Sequence, residues 1–71
     1  MPIFRIDFGM KSGEYKGTQY IDVPNKNTAR SFAKGGYIFN TKERKLLSIK
    51  RVRNLEKEQK EMRRKIVVRR I

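Results

Sequence analysis

The groups in this chain best placed to do chemistry are guanidinium and ammonium groups, and they come in runs. Lys45, Lys50, Arg51 and Arg53, preceded by Arg44, form one cluster; Arg63, Arg64 and Lys65 with Arg69 and Arg70 form a second. Arg offers a planar fork of N–H donors that matches phosphate oxygens, and Lys adds a compact point charge. Up to Asn40 six basic residues stand against three acids, and beyond it thirteen stand against four, so three quarters of the net charge of +12 lies there. Charges of one sign at this density repel one another and weaken a small fold, and a polyanion would relieve that repulsion. Lys45, Lys50, Arg51, Arg53, Arg63, Arg64, Lys65, Arg69 and Arg70 are therefore the candidate contacts to nucleic acid, DNA or RNA, acting on phosphates with low sequence specificity. From Leu55 to Glu61 acids and bases balance locally, whereas no acid interrupts the stretch from Arg63 to Arg70.

Aromatic rings could add base stacking where they are exposed. Tyr20 falls on the polar side of its segment beside Lys16 and Thr18 and is the stacking candidate, while Phe4, Phe8 and Phe32 read as core. Tyr15 and Tyr37 fit either role. Other chemistries are poorly supplied. The chain has no Cys and no His, so it lacks thiolates, the commonest metal ligand and the usual neutral-pH general base. The seven acids are scattered among nineteen bases, a poor cage for a cation, and no nucleophile is set beside a base. A non-enzymatic protein without metal or cofactor is expected. No apolar run approaches the ~20 residues of a membrane span, and Arg5 and Asp7 interrupt the N-terminal apolar stretch. A soluble, cytoplasmic chain is the expectation.

The positioning elements follow from periodicity. Residues 2–10 alternate, with Phe4, Ile6, Phe8 and Met10 on one side and Arg5, Asp7 and Gly9 on the other, the pattern of a half-buried strand. Lys11-Ser12-Gly13-Glu14 reads as a turn with Gly13 at positive φ, and residues 15–23 alternate again, with Tyr15, Gln19, Ile21 and Val23 on one face. Together they predict an antiparallel hairpin. Pro24 ends the second strand, and Asn25 or Asn27 caps a short helix over 28–34 with an Ala29, Phe32, Ala33 stripe, stopped by Gly35-Gly36. Tyr37-Ile38-Phe39 resumes extended structure. Residues 45–53 predict a strand with Leu47 and Ile49 on one side and Ser48, Lys50 and Val52 on the other; one long helix from Thr41 onward fits the spacing nearly as well. Asn54 caps a helix over Leu55 to Lys65, with Glu56 and Glu58 in its first turn and Arg63, Arg64 and Lys65 at its end. The ending, residues 66–71, extends that helix, forms a short strand or stays mobile.

A chain of 71 residues makes one domain with a modest core, burying only about 60% of its unfolded surface. The expected fold is α+β: a small antiparallel sheet built from the N-terminal hairpin and one or two later strands, one short packed helix and a basic C-terminal helix. The expected division is a compact body over 1–53 and a basic extension over 54–71. An alternative to nucleic acid is a protein-interaction module, in which Leu55, Met62 and Ile66 form the seam of a contact with a host protein or a second copy. Membrane-surface binding through the same helix ranks below both, because that face is narrow and lacks Trp and Phe.

The succession of a hairpin, Ile21-Asp22-Val23-Pro24, a short Ala-containing helix and Leu47-Ser48-Ile49-Lys50-Arg51-Val52 resembles the small ββαβ proteins common in bacteriophage genomes. It covers roughly residues 3–53. The resemblance implies an intracellular protein made in an infected bacterial host, in the host cytoplasm, binding host factors or nucleic acid; it transfers no site residues.

Overall fold

The computed structural model describes residues 2–13 and 16–70. Glu14 of the expected turn, Tyr15 of the second strand and Ile71 lie outside the described residues. The elements run β1 (Ile3–Met10), β2 (Lys16–Asp22), α1 (Lys26–Lys34), β3 (Arg44–Val52), α2 (Leu55–Met62) and β4 (Val68–Arg70). One four-stranded sheet has the order β3-β1-β2-β4. The β1 strand pairs antiparallel with both β2 and β3, and β4 pairs parallel with β2, so the sheet is mixed rather than purely antiparallel.

The alternation in β1 and β2 sorts the sheet into two faces. Phe4 stands beside Ile21, and Ile6 beside Gln19 and Ile49, and these face α1. Phe4, Ile6, Phe8, Ile21, Val23, Ala29, Ala33, Ile38 and Phe39 make the core, with Phe32, Leu46 and Ile49 packed on it. Tyr37-Ile38-Phe39 forms no strand; Ile38 and Phe39 plug the core from a loop, and the Phe39 ring stacks on Phe8 at 4.8 Å. In β3 the strict alternation fails. Leu46, not Leu47, stands opposite Phe8, while Ser48 pairs with Asp7, so a bulge between them leaves Leu47 extruded and 45% exposed.

Caps set the helix boundaries. The Asn25 side chain accepts a hydrogen bond from the Thr28 N–H at 2.8 Å, which starts α1 at Lys26, and Gly36 at φ +83° supplies the left-handed residue that ends it. Asn54 accepts from the Lys57 N–H at 3.1 Å and starts α2. That helix stops at Met62, because Arg63 turns left-handed at φ 54°. The expected basic C-terminal helix is therefore corrected: Arg63, Arg64 and Lys65 lie beyond the helix, in the link to β4.

The layering follows from topology. The strands β2, β3 and β4 all run in one direction, and α1 and α2 belong to crossovers that travel in opposite senses across the sheet. Crossovers of one hand must then place their helices on opposite faces. Side-chain contacts agree: α1 covers the Phe4 face, and α2 reaches Tyr20 and Arg5 on the other. Residues 54–70 are thus no appendage, since α2 roofs the sheet and β4 belongs to it.

Candidate nucleic-acid interface

The second face of the sheet is polar and is organised by one carboxylate. Asp7 lies in register with Thr18 on β2 and Ser48 on β3. It accepts hydrogen bonds from Thr18 Oγ1 at 2.8 Å, Ser48 Oγ at 3.0 Å and Arg5 Nε at 3.1 Å, tying three strands together. Partial burial alone would raise the Asp7 pKa; the hydrogen bonds from Thr18, Arg5 and Ser48 and the nearby Arg5 charge outweigh it and hold the carboxyl below its ordinary 3.8. Arg5 also lies 3.5 Å from Glu58 Oε1, which anchors α2 over this face.

The inward residues of α2 are Leu55, Glu58, Gln59 and Met62, all half-buried at i, i+3, i+4 and i+7. Tyr20 donates its hydroxyl proton to the Met62 sulfur at 2.8 Å, and the Ile66 N–H donates to Gln59 Oε1 at 3.1 Å, folding the chain back beneath the helix. Two expectations are corrected here. Tyr20 is 4% exposed, roofed by α2, and its ring is closed to a base. Burial, with the neighbouring Glu58 carboxylate, pushes its phenol above the ordinary value. The expected seam of Leu55, Met62 and Ile66 is turned onto the sheet rather than outward, with Ile66 buried, because Met62 meets the Tyr20 hydroxyl and Gln59 holds the Ile66 N–H beneath the helix.

The outward side of α2 carries Glu56, Lys57, Lys60 and Glu61, an even balance of charge. The excess cations gather at its two ends. At the first end, Lys50, Arg51, Arg53 and Lys57 line a cleft of about 470 Å³ between the end of β3 and the helix, with Val52, Asn54, Glu58 and Glu61. Arg63, Arg64 and Lys65, with Lys60, border a shallower hollow at the other end. Since β3 and β4 are opposite edges of the sheet, the two groups flank α2 at roughly three strand spacings, about 14 Å. Among the described residues none of Lys50, Arg51, Arg53, Arg63, Arg64 and Lys65 engages a carboxylate.

The nine cations singled out in the sequence do not share one face. By register Lys45 and Lys50 project on the α2 side, opposite Gly9 and Arg5, and Arg70 does so beside Asp22. Arg51 and Arg69, in register with Phe4 and Ile21, project on the α1 side, and Arg69 Nη1 donates to the Tyr37 carbonyl at 3.1 Å. A strand in the middle of the basic stretch divides its charges by simple alternation. Among the described residues the exposed aromatic is Tyr37, 64% accessible, with its ring edge-on to Phe32 at 5.6 Å. Its position directly after the helix-stopping Gly35-Gly36 was the available sign that it sits in a loop.

Among the described residues no three potential metal ligands come together, and no helix is long and apolar enough to cross a membrane. Comparison with known proteins gives no match to a family model, to a curated protein or to a solved structure, so the functional reading rests on these residues and their geometry.

Proposed function

We propose that this chain binds nucleic acid through its phosphates, with little preference among bases. The observation that supports it most is the cleft beside α2, lined by Lys50, Arg53 and Lys57, while the neighbouring Glu58 is committed to Arg5. The group at Arg63, Arg64 and Lys65 extends the same side past the far end of the helix. Arg63 takes the left-handed position that ends α2, and it stands exposed there with Arg64 and Lys65. With Tyr20 buried, stacking contributes little on this side and phosphate contacts carry the affinity.

The test is a triple neutralisation, Lys50→Gln with Arg53→Gln and Lys57→Gln, read by fluorescence anisotropy against duplex DNA, single-stranded DNA and RNA. The variant should weaken the preferred ligand and flatten the slope of log K against log salt by about 3 if each side chain covers one phosphate. Unchanged affinity and slope would refute this site. The alternative, a protein-interaction module, needs another surface than the Leu55, Met62, Ile66 seam. The exposed Leu47 and Val67 stand near opposite edges of the sheet and form no single patch for it.

A further inference from the structure

A second basic surface lies on the face of the molecule away from α2. Lys26, Arg30 and Lys34 recur at i, i+4 and i+8 along α1, and all three are exposed. The helix contains no acid, and Lys26 stands in its first turn, where the helix dipole disfavours a cation. Cations spaced four apart on a helix also repel one another. Only Lys34, in the last turn, suits the dipole. Neither capping nor packing gains from this arrangement: Asn25 caps the helix, and Ala29, Phe32 and Ala33 bury it.

The stripe does not end with the helix. At its C-terminal end Lys34 joins Lys11 and Arg44 around a groove of about 270 Å³ floored by Ala33, Phe39 and Leu46, and among the described residues no carboxylate lines it. Three separate elements, the β1–β2 turn, α1 and β3, thus bring positive charge to one concavity. Because α1 and α2 cover opposite faces of the sheet, this band and the cleft beside α2 point away from each other. Two packed layers separate the helices by roughly 20 Å. At a screening length of about 8 Å in physiological salt, a phosphate backbone on one side leaves the other largely unneutralised.

We propose that the protein bridges two nucleic-acid segments, one held beside α2 and the other along the Lys26, Arg30, Lys34 stripe of α1. The inference rests on the nucleic-acid reading, and the following experiment separates the two. The full chain is titrated by anisotropy with duplex DNA, single-stranded DNA and RNA, and the tightest binder is taken forward. One copy of it is immobilised on beads, and a second, fluorescent copy of unrelated sequence is offered in solution. Wild type should retain the fluorescent copy on the beads at limiting protein and release it at excess protein, when each copy is coated separately. The variant Lys26→Gln with Arg30→Gln and Lys34→Gln keeps good helix formers at exposed sites, and a thermal melt confirms that it folds. It should lose retention about tenfold or more while still binding one labelled copy through the other face. Wild type that binds but retains nothing overturns bridging and leaves the binding reading intact. A variant that retains as well as wild type overturns the role of α1. Failure of all three nucleic acids to bind overturns the reading beneath both.

Discussion

Replacing Asp7 by Asn should destabilise the fold at neutral pH and leave it almost unchanged at low pH. Asp7 accepts from Thr18, Ser48 and Arg5 at 2.8, 3.0 and 3.1 Å, and it joins β1 to both of its neighbours. Hydrogen bonds to a charged partner contribute about 1.5–3 kcal/mol each. Asn can still accept from one or both hydroxyls, and the Asp7 side chain is 26% exposed, so solvent screens part of the effect. The expected loss is about 1.5 kcal/mol, which for a domain of this size lowers Tm by roughly 6–12 °C. The sign of the pH dependence follows from the depressed carboxyl: its folded-state pKa lies below the ordinary 3.8. Its contribution is therefore present in full above the unfolded value and disappears as pH falls through the folded one. Thermal melts of wild type and Asp7→Asn between pH 2 and pH 7 should converge at the acidic end. Glu43→Gln, at an exposed turn position, adds the same unit of net positive charge and should shift Tm little. Equal Tm values at pH 7, or a gap that persists undiminished at pH 2, would refute the role given to this carboxylate.

Tyr20→Phe should lower stability by about 1 kcal/mol through loss of the hydroxyl contact to Met62, yet leave nucleic-acid affinity unchanged because the ring is roofed; a clear affinity loss in a folded variant would restore a stacking role. Arg63→Gly should stabilise the chain by about 1 kcal/mol, by relieving the left-handed strain, while making the salt slope shallower by about 1; denaturant unfolding and anisotropy give the two numbers, and a variant that lost stability would contradict the cap geometry. Asn25→Ala removes the cap of α1 and should cost about 1 kcal/mol, read by chemical denaturation; no change would mean that the hydrogen bond to the Thr28 N–H contributes nothing.

The ββαβ succession was legible because each segment carried its own local signal: alternation in Phe4, Ile6 and Phe8, the Asn25 cap, and the Gly35-Gly36 stop. Three features were not. The bulge at Leu47 is decided by the ladder with β1, and no residue in β3 announces which of two adjacent leucines turns inward. The early end of α2 depends on a left-handed Arg63, a conformation that Arg does not favour and that composition therefore does not suggest. The parallel pairing of β4 with β2 joins Tyr20 to Val68 across a long stretch of chain, and a short β-branched tail gives no hint of a partner that distant. The site was half legible for the same reason. The cations were plain in the sequence, but their distribution over two faces depends on strand register, and the burial of Tyr20 depends on where α2 lies. The α1 stripe was present at helical spacing throughout, overshadowed by the denser charge beyond Asn40.

The central claim is that the clustered cations form phosphate-binding surfaces, and the salt dependence of affinity tests it most directly. Anisotropy titrations of the wild-type chain between about 50 and 200 mM salt should give a log–log slope near −5 for a duplex, about six phosphates neutralised. A slope near zero, or no binding at the lowest salt, would contradict it.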